Sequence, residues 1–151
     1  MNDDSRLREG PAYDTLRQRS IALRNALLTL HKVLIDSERA SFEKTMGTIQ
    51  SPNHFLQLLT SDPWFAWLRP LSRLIVSMDE ALDQKEPLTI GDADALMSES
   101  GRLLVPAEHA DGFSGHYVEA LQRDPHVVLA HAEAVSFLGP REQTENKQGA
   151  E

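Results

Sequence analysis

The stretch from Asp62 to Gln84, DPWFAWLRPLSRLIVSMDEALDQ, constrains the fold more than any other part of the chain. Trp64, Leu68, Leu71, Ile75, Met78 and Leu82 follow one another at steps of four, three, four, three and four, which draws one apolar stripe down the side of a helix. Asp62 is placed as N-cap, and Pro63 takes the first helical position, where its missing N–H does no harm. Pro70 interrupts the pattern, because it has no N–H for the carbonyl of Ala66 and its ring crowds that turn. The stripe stays in phase across it. The spacing therefore predicts one helix kinked between Ala66 and Pro70, with two shorter helices as the alternative. A kink there turns Trp64 and Trp67 across the end of a bundle.

The rest of the chain reads as helix around this one. Leu16, Leu23, Leu27, Leu30 and Leu34 form a main stripe, and Ile21, Leu28, Ile35 and Phe42 a second at intervals of seven. Together they predict a first helix from about Pro11 or Ala12 to Thr45 or Met46, stopped by Gly47, with two neighbours for its two stripes. Ser51-Pro52 starts a short helix carrying Phe55, Leu56, Leu58 and Leu59. Glu86-Pro87 closes the long middle helix, and the next begins near Gly91 or Asp92, with Thr89 and Asp92 in capping-box spacing. A connection from Val105 to Gly115 leads to a short helix over about 114–122, and Asp124-Pro125 opens a last one to about Leu138, ended by Gly139-Pro140. Residues 1–10 are polar and expected to be flexible, 11–139 to form one helical domain, and 140–151 to be a disordered tail.

Composition excludes several classes of function. With no cysteine among 151 residues, disulfides, thiolate catalysis and cysteine-held metal are out. A formal net charge of −8 opposes binding to a phosphate backbone, so no nucleic-acid partner is expected. The first ten residues resemble no secretory signal, and no run approaches 18 apolar residues, so a cytoplasmic protein without a membrane span is expected. No nucleophile elbow, phosphate loop or zinc-protease motif occurs, and no Glu-x-x-His pair. The expectation is a non-enzymatic protein without a cofactor.

Two sets of residues stand out as candidate sites. Phe65 points about 100° from the stripe, towards Arg69 and Arg73. Together with Trp67 they have the composition of a protein-interaction anchor. The competing reading folds Trp64, Phe65 and Trp67 into one end of the core, with the arginines on helix-terminal carbonyls. The second set is ionisable. His31 and Glu38 lie between the two stripes of the first helix with Arg24 near them, His131 completes the line Val128, His131, Val135, Leu138, and Asp79 adjoins Ile75 and Leu82. His31, Glu38, Asp79 and His131 could converge on a metal or polar ligand, or each could be satisfied locally, with the carboxylates paired to Arg24 or Arg73.

DPWFAWLRPLS and LIVSMDEAL, with a looser likeness in SPNHFLQLL, resemble a small set of uncharacterised bacterial helical proteins of unknown function. The resemblance covers chiefly this one stretch. It implies a cytosolic bacterial origin and a helical bundle, and carries over no catalytic residue. The whole reading is an all-α, up-and-down, four-helix-type bundle with additional short helices. Its expected function is that of an interaction or regulatory module engaging an unidentified protein partner through Phe65, Trp67, Arg69 and Arg73, with a homodimer through a leftover apolar face. The alternative is a metal- or small-ligand-binding bundle.

Overall fold

The computed structural model describes residues 11–83, 88–106 and 112–139, and side chains from Asp14 onward. The expected flexible start, the Glu86-Pro87 stop and the expected tail lie outside the described residues. Among those described there are six α-helices, one 3-10 helix and no strand, so the all-α reading holds.

Helix α1, Pro11–Met46, runs 36 residues, on the order of 54 Å at 1.5 Å per residue. Its main stripe is core: Leu23, Leu27, Leu30 and Leu34 are fully buried. Gly47 ends it at φ 99°, a left-handed conformation that costs glycine little. The second stripe is less uniform. Phe42 is buried and Ile21 and Ile35 partly so, but Leu28 is exposed. Leu28 falls between Arg24 and His31 on the face where α1 meets a neighbour through polar groups.

Helix α2, Pro52–Ser61, starts as Ser51 Oγ accepts from the His54 N–H at 3.1 Å. The Asp62 stretch then departs from the single kinked helix. It forms a 3-10 helix, Pro63–Leu68, followed directly by α3, Arg69–Asp83. Asp62 caps the first piece, accepting from the Trp64 N–H at 2.8 Å. The break has a local cause in Pro70, which cannot donate to Ala66, whereas Arg69 N–H does, closing a tight i→i−3 turn. Pro70 is then the second residue of α3, where no intrahelical acceptor awaits an N–H. The apolar phase survives, since Leu71, Leu74, Ile75, Met78 and Leu82 are all buried.

Helix α4 is Ile90–Leu103, with Thr89 Oγ1 accepting from Asp92 N–H at 2.9 Å as the spacing predicts. Helix α5, Phe113–Arg123, and α6, Pro125–Ser136, meet at Asp124, whose carboxylate caps α6 through His126 N–H.

Helix α1 packs against α3, α4, α5, α6 and the 3-10 helix. The polar ties fix directions. Arg24 meets Asp79 and His31 meets Ser72, so α3 runs opposite to α1. Arg19 donates to the Phe137 carbonyl at 2.7 Å while Arg123 reaches Ser37 and Glu38, so α6 runs opposite to it as well. Phe42, Phe55, Trp64 and Phe65 gather at one end of the core, and Trp67, Phe113 and Tyr117 continue the aromatic contacts into α5. A smaller cluster, Leu82, Leu88 and Ala93 with Leu16 and Ile21 against it, fills the other end.

Candidate functional site

Arg24, His31 and Glu38 lie seven residues apart on α1, a spacing that keeps them on one face. Each meets a different level of the segment running antiparallel to it. Arg24 Nη1 pairs with Asp79 Oδ1 at 3.2 Å, His31 Nε2 meets Ser72 Oγ at 2.7 Å, and Trp64 Nε1 donates to Glu38 Oε2 at 2.9 Å. Successive rungs are separated by about 10 Å along α1. The expected convergence of His31, Glu38, Asp79 and His131 therefore does not occur, because groups two turns apart on one rod cannot ligate one ion. Among the described residues no three His, Asp or Glu form a group that could hold a metal.

Glu38 is the most buried of these charges, with its side chain 8% exposed. Arg123, from the end of α5, donates to Glu38 Oε1 at 2.9 Å and to Ser37 Oγ at 3.0 Å. Burial of a carboxylate in a bundle is tolerable only with such partners.

The expected interaction anchor is corrected too. Phe65 is 1% exposed and Trp67 7%, so neither ring is available at the surface. The 3-10 turn, tighter than an α-turn, swings these rings inward onto Phe42, Phe55 and Phe113. Arg69 Nη2 donates to the Thr60 carbonyl at 3.1 Å, holding the end of α2, and Arg73 is exposed beside Pro70, Leu74 and Arg102.

His131 alone of the candidates adjoins a sizeable cavity. A cleft of about 1220 Å³ lies between α1, α4 and α6, against about 450 to 460 Å³ for each of three other clefts. Its polar margin includes Arg19, Asp94 and Arg102, its apolar wall Met97, Leu104 and Val135. Behind His131 stands Tyr117, fully buried, its hydroxyl 2.6 Å from His131 Nδ1. That hydroxyl has no other partner among the described residues, so its hydrogen is assigned to this bond, which puts the imidazole hydrogen on Nε2. The ring nitrogen left for a ligand is then a donor. Burial pushes the Tyr117 phenol well above its ordinary value, so it stays protonated.

Tyr117, Arg19 and Arg102 escaped the sequence reading. Tyr117 falls among the apolar positions of a short helix, and neither arginine lies in an apolar arc. A buried tyrosine needing a partner and a histidine needing one are the sole sequence signal, and their pairing across two helices has no fixed spacing.

Burial lowers the titration of both His31 and His131 below the ordinary 6.5. An unfolded chain then binds protons on these rings before the folded one does, so folding stability is full above the unfolded value and declines as pH falls from about 6.5 towards the folded values. The urea midpoint should drop between pH 7.5 and 5.5. Part of that slope should vanish in a His31→Gln/His131→Gln variant, and equal slopes in the two proteins would contradict the assignment.

In comparisons with protein-family models, curated proteins and solved structures, no match to this chain is found.

Proposed function

We propose that this chain is a non-enzymatic helical bundle, up-and-down around α1 as spine, which binds a small anion with an apolar body in the cleft between α1, α4 and α6. The observation that carries the reading is the composition of that cleft around His131. Three potential donors, Arg19, Arg102 and His131, stand against one carboxylate, Asp94, in a protein whose formal net charge is −8. The apolar wall offers a surface for a hydrocarbon body, and a wide cleft with a few polar groups is the common form of a small-molecule site. Tyr117 serves as a positioning residue, fixing the tautomer and angle of the imidazole from behind. A cytoplasmic setting in a bacterium belongs to the same proposal and rests on the sequence resemblance.

Calorimetric titration with octanoate, and with octylamine as the charge-reversed control, tests it. Octanoate should bind and octylamine should not. Arg102→Ala, an exposed position that leaves the fold intact, should weaken octanoate about 10- to 100-fold, the worth of one charge-assisted hydrogen bond. Equal binding of both amphiphiles, or octanoate affinity unchanged in both Arg102→Ala and His131→Ala, would remove the cleft from consideration.

A further inference from the structure

The polar groups of the cleft between α1, α4 and α6 do not all stand together. Asp94 and Arg102 lie eight residues apart on α4, a separation of about 12 Å along that helix. Ala93 packs in the small cluster with Leu16 and Ile21, which sets Asp94 at the level where Arg19 leaves α1. Arg102 stands beside Leu74 and Ser77, between the levels of α3 at which Ser72 meets His31 and Asp79 meets Arg24. Helix α6 repeats the division. Arg19 is tied to the Phe137 carbonyl, and His131, six residues earlier in an antiparallel helix, lies about 9 Å farther along α1. One end of the cleft therefore holds Arg19 and Asp94 and the other Arg102 and His131, with Met97 and Val135 on the wall between them.

The two ends differ in charge. At the far end Arg102 and the His131 Nε2–H are both donors, the complement of a carboxylate. The near end has one cation and one anion. Arg19 Nε is occupied by the Phe137 carbonyl at 2.7 Å, and its Nη2 lies against Gly139, where any Cβ would collide with it, so the guanidinium is held in place with hydrogens to spare. Asp94 forms no ion pair with it and has no other partner among the described residues. A guanidinium and a carboxylate at one level, not paired to each other, match the α-carboxylate and α-ammonium of an amino acid. A lone ammonium there would meet Arg19 as well as Asp94, and a lone carboxylate would meet Asp94 as well as Arg19. We infer that the cleft takes a bipolar ligand, an α-amino acid whose head group lies between Arg19 and Asp94 and whose apolar side chain ends in a carboxylate at Arg102 and His131. This rests on the reading of the cleft as an anion site and names the class of ligand.

Calorimetric titration with octanoate, octanedioate and 2-aminooctanedioate tests it, since the three probes share one chain length. 2-Aminooctanedioate should bind about 10- to 100-fold more tightly than octanoate and about tenfold more tightly than octanedioate. Asp94→Asn, at an exposed position, should abolish the second difference and leave octanoate unchanged. Octanoate binding with no gain from the amino group overturns the bipolar ligand while the anion site stands, and a gain that survives Asp94→Asn does the same. Absence of binding by all three probes overturns both.

Discussion

Phe65→Ala should lower the unfolding free energy by about 3–5 kcal/mol, the usual cost of removing a buried phenylalanine ring and leaving its space unfilled. The ring is 1% exposed and its centroid lies 5.6 Å from that of Phe42 and 5.8 Å from that of Phe55. It therefore joins α1, α2 and the 3-10 helix at one point. In a chain of this size the loss corresponds to a fall of about 6–20 °C in Tm. Arg73→Ala, at an exposed position, should stay within about 0.5 kcal/mol. Guanidinium unfolding of both variants checks the contrast, and a native-like midpoint for Phe65→Ala would return this ring to the surface role that the sequence first suggests for it.

Arg123→Ala should cost about 2–3 kcal/mol, because among the described residues it leaves the Glu38 carboxylate with the Trp64 Nε1–H as its remaining partner and no paired cation. The full penalty of an orphaned buried charge is larger, but the Arg123 side chain is 36% exposed, so water replaces part of what is lost. Replacing both groups tells whether charge pairing is the cause. Glu38→Met with Arg123→Met should recover most of the stability lost in Arg123→Met alone, since an apolar pair of similar size has no desolvation to offset. Urea unfolding of the two singles and the double closes that cycle, and strictly additive effects would mean the pair contributes through packing instead of charge.

The ladder to which Glu38 belongs shows how far a single sequence reaches. The seven-residue spacing of His31 and Glu38, with Arg24 near the edge of the same arc, marks polar groups inside an apolar arc that have to find partners. It could not say whether those partners were one another or a neighbouring helix. Convergence on one point and distribution along a seam give the same helical wheel, because a wheel discards height along the axis. The antiparallel contact with α3 supplies the height, pairing 24 with 79 and 31 with 72, and turns a supposed ligand set into separate rungs.

The Trp64–Trp67 region teaches the same about turns. Sequence placed the cap at Asp62, the proline after it and the obstacle at Pro70, and each is where expected. A wheel drawn at 100° per residue nevertheless put Phe65 on the outside, since it assumed an α-helical twist. The segment is a 3-10 helix at about 120° per residue, and three or four residues of such overwinding suffice to rotate a ring from surface to core.

What the sequence by itself determined is therefore local. Caps, prolines and glycines at Gly47, Ser51, Asp62, Thr89 and Asp124 set where helices start and stop, and the spacing of leucines decided which faces are buried, because backbone hydrogen bonding and side-chain direction act over a few residues. Only the tertiary structure decided which polar group meets which: Tyr117 behind His131, Arg123 on Glu38, Arg19 on the end of α6. Those pairs join residues 14, 85 and 118 positions apart. Over such distances sequence spacing carries no geometric information, and the partner is chosen by whichever helix face the packing of the apolar core brings alongside.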